Sequence, residues 1–316
     1  MAQYTWAFDA QAGVWKNSSL SKKMREASIA DVVFFQFADT EPGFGKHKGE
    51  THNIFRWKNI AEPTSAVLNE TTRIPIDTLQ SSATAITIQE LGRGVEFTSW
   101  AQDLSVFNPE KGAQKRLKAQ MELVLDTMTA AAFKTAKVCA IPTSLTGITW
   151  DTDGTPSTPA TVNLNGDHCG VIRDYMRASL HVPYYKKGYY MGIGSTKALR
   201  GIKSDPNYQT WNQYMKAGDV YYNSEVGMVE QIKWIESNHD NALSNAKGTG
   251  GVLGEAVIFG DDAVALIEAE TPELRVALPA DSGRFKSVVW VGELALGLAW
   301  DTANDGEAKV LRVTSS

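Results

Sequence analysis

Several short stretches set chemically capable side chains close together. His47 and His52 stand five apart in a glycine-rich stretch. A transition-metal site needs several convergent nitrogen or sulfur ligands, and no cysteine or second histidine pair lies nearby. Asp167-His168-Cys169 holds the residue types of an acid, a base and a nucleophile. Such groups must meet in space, whereas neighbours on a helix point apart, and Asp167 is better used as an N-cap. Asp151-Thr152-Asp153-Gly154 opens like a calcium loop. It lacks the glutamate that such a loop carries at its twelfth position, so a polar turn is expected. The stretch from Asp301 to Glu307 fails the same test and reads as a hairpin turn. Gly192-Ile193-Gly194-Ser195-Thr196-Lys197 has glycines and a lysine but not the gap of a phosphate loop. Lys111, Lys115, Arg116 and Lys118 make one run basic. Its ordinary use is a solvated helix face; contact with nucleic acid or an acidic neighbour is the other reading. No catalytic residue, cofactor or metal is expected from these sets.

The whole chain bounds the reading further. Its 316 residues suggest two domains at roughly 150 residues each. A net charge of −5 argues against coating nucleic acid by phosphate neutralisation. Cys139 and Cys169 are far apart and imply reduced thiols, not a disulfide framework. The opening Met1-Ala2-Gln3-Tyr4 starts no signal peptide. Runs such as Val32-Val33-Phe34-Phe35 fall far short of a membrane span, which needs about 20 apolar residues.

The element that must position everything else is a long helix over residues 108–138. Asn108 can cap it, Pro109 fits its first position, and Glu110 faces the positive end of its dipole. Ala113, Leu117, Met121, Val124, Met128 and Ala132 draw one apolar stripe, widened by Leu125 and Phe133. Before it, Trp6 and Trp15 mark an aromatic arm suited to packing on something else. A short helix is expected over 18–37. Residues 40–80 carry too little apolar surface to make a core, yet hold Ile54, Phe55 and Trp57. A two-stranded projection lying on a neighbour resolves that conflict. Strands are expected at 83–90 and 95–100, with a turn or bulge at 91–94.

After the long helix, the pattern predicts a helix at 167–180 with Val171, Tyr175 and Ser179 on its packed face. A buried strand at 189–194 follows, then a short helix from Ser195. Asp205-Pro206 starts another helix, with Tyr208, Trp211 and Met215 on one face. A strand at 226–235, a glycine-rich loop at 248–254 and a strand at 256–260 come next. Asp261 caps a helix at 262–270. Strands at 285–300 and 307–313 close the chain as a hairpin through Asn304-Asp305-Gly306. The order is α+β with an insertion-like central block.

That order carries a resemblance. GETHNIFRWKNI (49–60), LNETTRIPIDTLQ (68–80), ITIQELGRGVEFTSWAQDL (86–104), YYMGIGSTKALRGIKSDPNYQTW (189–211) and GEAVIFGDDAV (254–264), set around the long helix, resemble the major capsid proteins of tailed bacteriophages. Within them the sequence looks most like the N-four-type major capsid family. The family's Leu-Thr-Glu-Gly loop tip is Leu68-Asn69-Glu70-Thr71 here.

The resemblance implies a Hong Kong 97-like α+β fold. Residues 1–40 would be an N-terminal arm and 41–80 an extended loop. Residues 81–140 and 271–316 would form a peripheral domain around the spine helix 108–138, and 141–270 an axial domain. It implies a non-enzymatic shell protein of hexamers and pentamers around double-stranded DNA, contacted non-specifically. Portal, scaffolding and decoration proteins would be its partners. No membrane is implied; the place would be the virion, assembled in the host cytoplasm. The subunit interface would include Trp6, Trp15, His47, Ile54, Phe55, Trp57, Leu68, Glu70 and Arg73. A cargo-enclosing encapsulin-type shell shares the fold, and an α+β enzyme is the alternative of another class.

Overall fold

A computed structural model describes residues 28–42, 44–105, 108–156, 158–186, 188–206, 208, 225–248, 250–276, 281–300, 302–304 and 306–316. In chain order its elements are a 3-10 turn (Phe35–Phe37), β1 (Ala38–Thr40), β2 (Thr51–Trp57), β3 (Ser81–Thr87), β4 (Gln89–Thr98), α1 (Ser99–Leu104) and α2 (Pro109–Phe133). Then come β5 (Val138–Pro142), β6 (Ile148–Asp151), α3 (Gly166–Asp174) running into a π-helical turn (Tyr175–Ser179), β7 (Tyr190–Ser195) and α4 (Arg200–Ser204). The last are β8 (Glu225–Val229), β9 (Ile232–Ser237), β10 (Gly254–Phe259), β11 (Val264–Val276), β12 (Phe285–Leu298) and β13 (Val310–Ser315). Four strands form one sheet in the order β1-β11-β12-β4, and seven form another in the order β6-β5-β13-β10-β7-β9-β8. β2 and β3 form a separate ribbon.

α2 begins as its sequence requires. The Asn108 side chain accepts from the amides of Glu110 and Lys111, and Pro109 takes the first position. Its stripe lies on the four-stranded sheet. Leu117 packs with Val288 and Trp290, and Leu125 with Leu266 and Leu294. Its last turn enters the other core, where Phe133 meets Phe34 and Phe259. One helix therefore serves both sheets. It ends at Phe133 and not at 138, because Val138, Cys139, Ala140 and Ile141 are buried on both faces of β5. A strand inside a sheet satisfies such a run better than a helix with one packed stripe.

Other expected elements change for local reasons. Residues 28–34 are not helical and only Phe35–Phe37 makes a 3-10 turn; residues 18–27 lie outside the described set. Gly92 and Gly94 sit inside a continuous β4, with no turn between two strands. A Cβ on Gly94 would stand 2.5 Å from a Val289 methyl. The helix expected at 262–270 is β11, whose first four residues are buried between β1 and β12. The strand expected at 226–235 is the β8–β9 hairpin. It turns at Glu230 and Gln231, both with positive φ, without the Gly or Asn that marks such turns. β12 and β13 do not form a hairpin: they belong to different sheets. β13, expected beside the long helix, lies between β5 and β10 in the seven-stranded sheet. β7 matches its expected strand. Of the helix face Tyr208, Trp211 and Met215, only Tyr208 lies among the described residues.

One group gives the arrangement its centre, and no sequence pattern announced it. Asp126, two turns before the end of α2, has no exposure. One carboxylate oxygen accepts from the backbone amides of Val33 at 2.9 Å, Phe34 at 2.6 Å and Phe35 at 3.3 Å. The other stands 3.3 Å from His239 Nδ1. A carboxylate from another element thus caps the 3-10 turn.

Two substitutions test this account. Asp126→Ala leaves at least two buried amides without acceptors, at about 1–3 kcal/mol each. Urea unfolding of the variant should show a loss of about 3 kcal/mol or more; a loss under about 1 kcal/mol would mean the arm root finds other acceptors. Leu125→Pro removes an internal hydrogen bond of α2 and clashes with the preceding turn, costing about 3 kcal/mol or more. Insoluble or unfolded protein is expected, read by circular dichroism, and soluble wild-type-like protein would contradict it.

Candidate assembly surface

The chemically capable stretches do structural work. His168 closes a capping box on α3: its amide donates to the Asn165 side chain, and its Nδ1 accepts from the Asn165 amide. Asn165 therefore caps this helix, not Asp167, which is exposed. The packed face is His168, Cys169, Ile172 and Met176; Val171 points outward. Burial pushes the Cys169 thiol up to about 12, too high for a thiolate nucleophile. Asp151 and Asp153 accept amides two residues ahead, a polar turn. Gly192 and Gly194 leave room for Trp234 and Leu199, each of which a Cβ would meet at 2.7 Å. Among the described residues no group of three or more His, Cys, Asp or Glu is placed to hold a metal. None of the described helices is long and apolar enough to cross a membrane. A cavity of about 580 Å³ lies between α3 and the β8–β9 turn. Its arginine, Arg173, is already paired with Asp174 and Glu230.

The β2–β3 ribbon is the surface that stands out. Its ladder runs from Thr51 opposite Thr87 to Trp57 opposite Ser81, and the Lys58 amide closes it on the Gln80 carbonyl. Residues 59–80 continue beyond it without regular structure and are exposed throughout. A turn at Asn69 to Thr72 marks the far end, where the Thr72 amide donates to the Asn69 carbonyl. The return strand is β3, so the projection reaches past Gln80, where the sequence placed its end.

Alternation gives the ribbon two faces. Ile54 and Ile86 point in and pack with Ile267 and Ala295 of the four-stranded sheet. Gly297 makes room, since a Cβ there would stand 2.7 Å from Ile86. Arg56 shares the inner face. It is buried, donates to the Ala299 carbonyl at 2.9 Å and Ser82 Oγ at 3.1 Å, and lies 5.3 Å from the Trp300 ring. At the root, Lys46 pairs with Glu270 at 3.1 Å. Phe55 and Trp57 point out, at 79% and 66% exposure, and Ile60, Val67, Leu68, Ile74, Ile76 and Leu79 are exposed beyond them. So many exposed apolar side chains on one segment are a mark of an interaction surface.

Of the residues singled out from sequence, Phe55, Trp57, Leu68, Glu70 and Arg73 are exposed on the projection. Ile54 is partly buried against its own chain, on the same face of β2 as Arg56. His47 is exposed at the root with a positive φ; His52 packs edge-on against Phe44. Trp6 and Trp15 lie outside the described residues. Arg56 was missed, although Phe55-Arg56-Trp57 carried the signal: a charge facing opposite to its two aromatic neighbours.

No protein-family model matches the sequence, and no curated protein is significantly similar to it. Solved structures are similar over nearly the whole chain. A capsid chain of cyanophage Pam1 is 15% identical, with a TM-score of 0.64 over 100% of this chain and 99% of that one. The head of Helicobacter pylori bacteriophage KHP40 gives 12%, 0.65, and 95% of each chain. The capsid of Ralstonia phage GP4 gives 13%, 0.65, and 99% and 98%. The chain has the Hong Kong 97-like fold found in the capsids of tailed phages.

Proposed function

We propose that this chain is the major capsid protein of a tailed-phage head, assembling as hexamers and pentamers into an icosahedral shell around double-stranded DNA. The observation that carries the reading is the projecting ribbon. It is bolted to its own chain by Arg56 and Ile86, yet shows Phe55 and Trp57 to solvent. A surface of that kind needs a second molecule, and the capsid fold over the full length supplies another copy.

On this reading the ribbon and its tip, residues 41–88, are the extended loop, and residues 1–40 the arm. The four-stranded sheet with α2 is the peripheral domain and the seven-stranded sheet the axial one. Work is done at interfaces and not by catalysis. Lys111, Lys115 and Lys118 on the exposed side of α2 give the wall a non-specific contact with packaged DNA. Portal, scaffolding and decoration proteins complete the particle, which is built in the host cytoplasm. An encapsulin-type shell would share the fold and differ in its contents, protein cargo in place of DNA.

Two experiments test the assembly role. Replacing residues 61–72 by a short Gly-Ser turn should leave circular dichroism and solubility of the subunit unchanged. Closing a loop of another length shifts stability by only about 0.6 kcal/mol per doubling. Electron microscopy should show particles lost or deformed. Normal shells from this variant would remove the projection from the assembly role. Separately, Phe55→Ser with Trp57→Ser removes two exposed aromatic anchors, where hot spots cost about 2 kcal/mol or more each. The critical concentration for particle formation should rise at least tenfold, read by light scattering. An unchanged value would place the contact elsewhere on the chain.

A further inference from the structure

We propose that β4 is the receiving edge for a strand from a second copy, and that the added strand is the return side of that copy's projection, residues 73–79. The proposal rests on the shell reading, because it needs a neighbour of the same chain. β4 is the outer strand of the four-stranded sheet and pairs with β12 at every residue from Gln89 to Thr98. Among the described residues no strand pairs with its other side. Residues 92–96 are exposed without exception. A strand edge offers a row of unused amides and carbonyls to another strand, and proteins blunt such edges with bulges and proline. The same sheet has one edge treated in that way. β11 runs past β1 after Leu266, and its open half carries Pro272 and two register shifts. β4 has neither: its ladder is unbroken and its ten residues hold no proline.

Residues 73–79 fit this edge. They are exposed throughout, and among the described residues none of their amides or carbonyls bonds to their own chain. Ile74 and Ile76 alternate onto one face, as Val95 and Phe97 do on β4. Arg73 and Asp77 bring one charge of each sign to an edge that holds Arg93 and Glu96, so opposite charges can face each other. The β4 of the same chain is out of reach. At about 3.3 Å per residue, β3 sets Gln80 about 26 Å from Ile88. Ile76 reaches only about 14 Å from Gln80. The strand therefore comes from a second copy.

Pro75 decides which way the added strand faces. It has no N–H to give, so it must point its backbone away from β4. Ile74, Ile76 and Thr78 then turn their amides to β4, and Asp77 and Leu79 turn theirs out. The proline also closes the new outer edge, so addition ends at one strand.

Proline substitutions at neighbouring positions read this parity. Thr78→Pro removes an amide that faces β4 and should raise the critical concentration for particle formation at least about tenfold. Asp77→Pro removes one that faces out and should change it by less than about threefold. Circular dichroism of both subunits should match the wild type. Hydrogen exchange resolved to single residues gives the second measurement. In particles, alternate amides of β4 and those of Ile74, Ile76 and Thr78 should gain about tenfold in protection over free subunits. Those of Asp77 and Leu79 should not. Equal effects of the two prolines, or particles in which β4 and residues 73–79 exchange as in free subunits, overturn the proposal and leave the shell reading standing. Wild-type protein that forms no particles overturns both.

Discussion

A carboxylate with no exposure must find its compensation inside the protein, since an unpaired buried charge is among the costliest features a fold can carry. Asp126 finds it in the arm and in the connection after β9. The position on α2 is decisive. One turn toward the helix start, the stripe packs on the four-stranded sheet; two turns toward its end, Phe133 enters the core under the seven-stranded sheet. The charge sits where the two cores meet. Arm root, helix and connection must converge there for any of the three to be stable.

The projecting ribbon shows the opposite treatment of unfavourable surface. Its root is over-determined, with a buried arginine, a glycine-relieved contact and an ion pair. Its outer face and tip leave apolar side chains in water. The root fixes the direction in which those side chains are presented, and stiffness there is what makes exposure farther out useful. A floppy segment of the same composition would collapse onto its own sheet or onto any apolar surface it met.

Much of this was legible in the residues, and the failures share a cause. The start of α2, its apolar stripe, the β2 strand and the solvent-facing Phe55 and Trp57 all follow from local signals: a cap, a period and an alternation. The segments misread as helix or hairpin are those whose structure is set by distant partners. β11 looks like a capped helix after Asp261 until β12 and β1 cover it on either side. Gly92 and Gly94 look like a turn until Val289 and the Trp290 carbonyl press against them. Asp126 carries no local signal at all. Its partners lie more than ninety residues away in either direction, and no window of sequence contains them.

The place of β13 has a consequence for the order in which the molecule can form. β5 meets the rest of its sheet only through β13, with Val138 opposite Leu311. During synthesis the β5–β6 hairpin has no seat until residues 310–315 have left the ribosome. Domains fold as units, and pairings of such long sequence separation form late. The larger sheet is therefore completed after the ribbon has been made, and a chain still on the ribosome presents its apolar projection from an unfinished body. Synthesis itself sets the moment at which a subunit becomes a rigid building block.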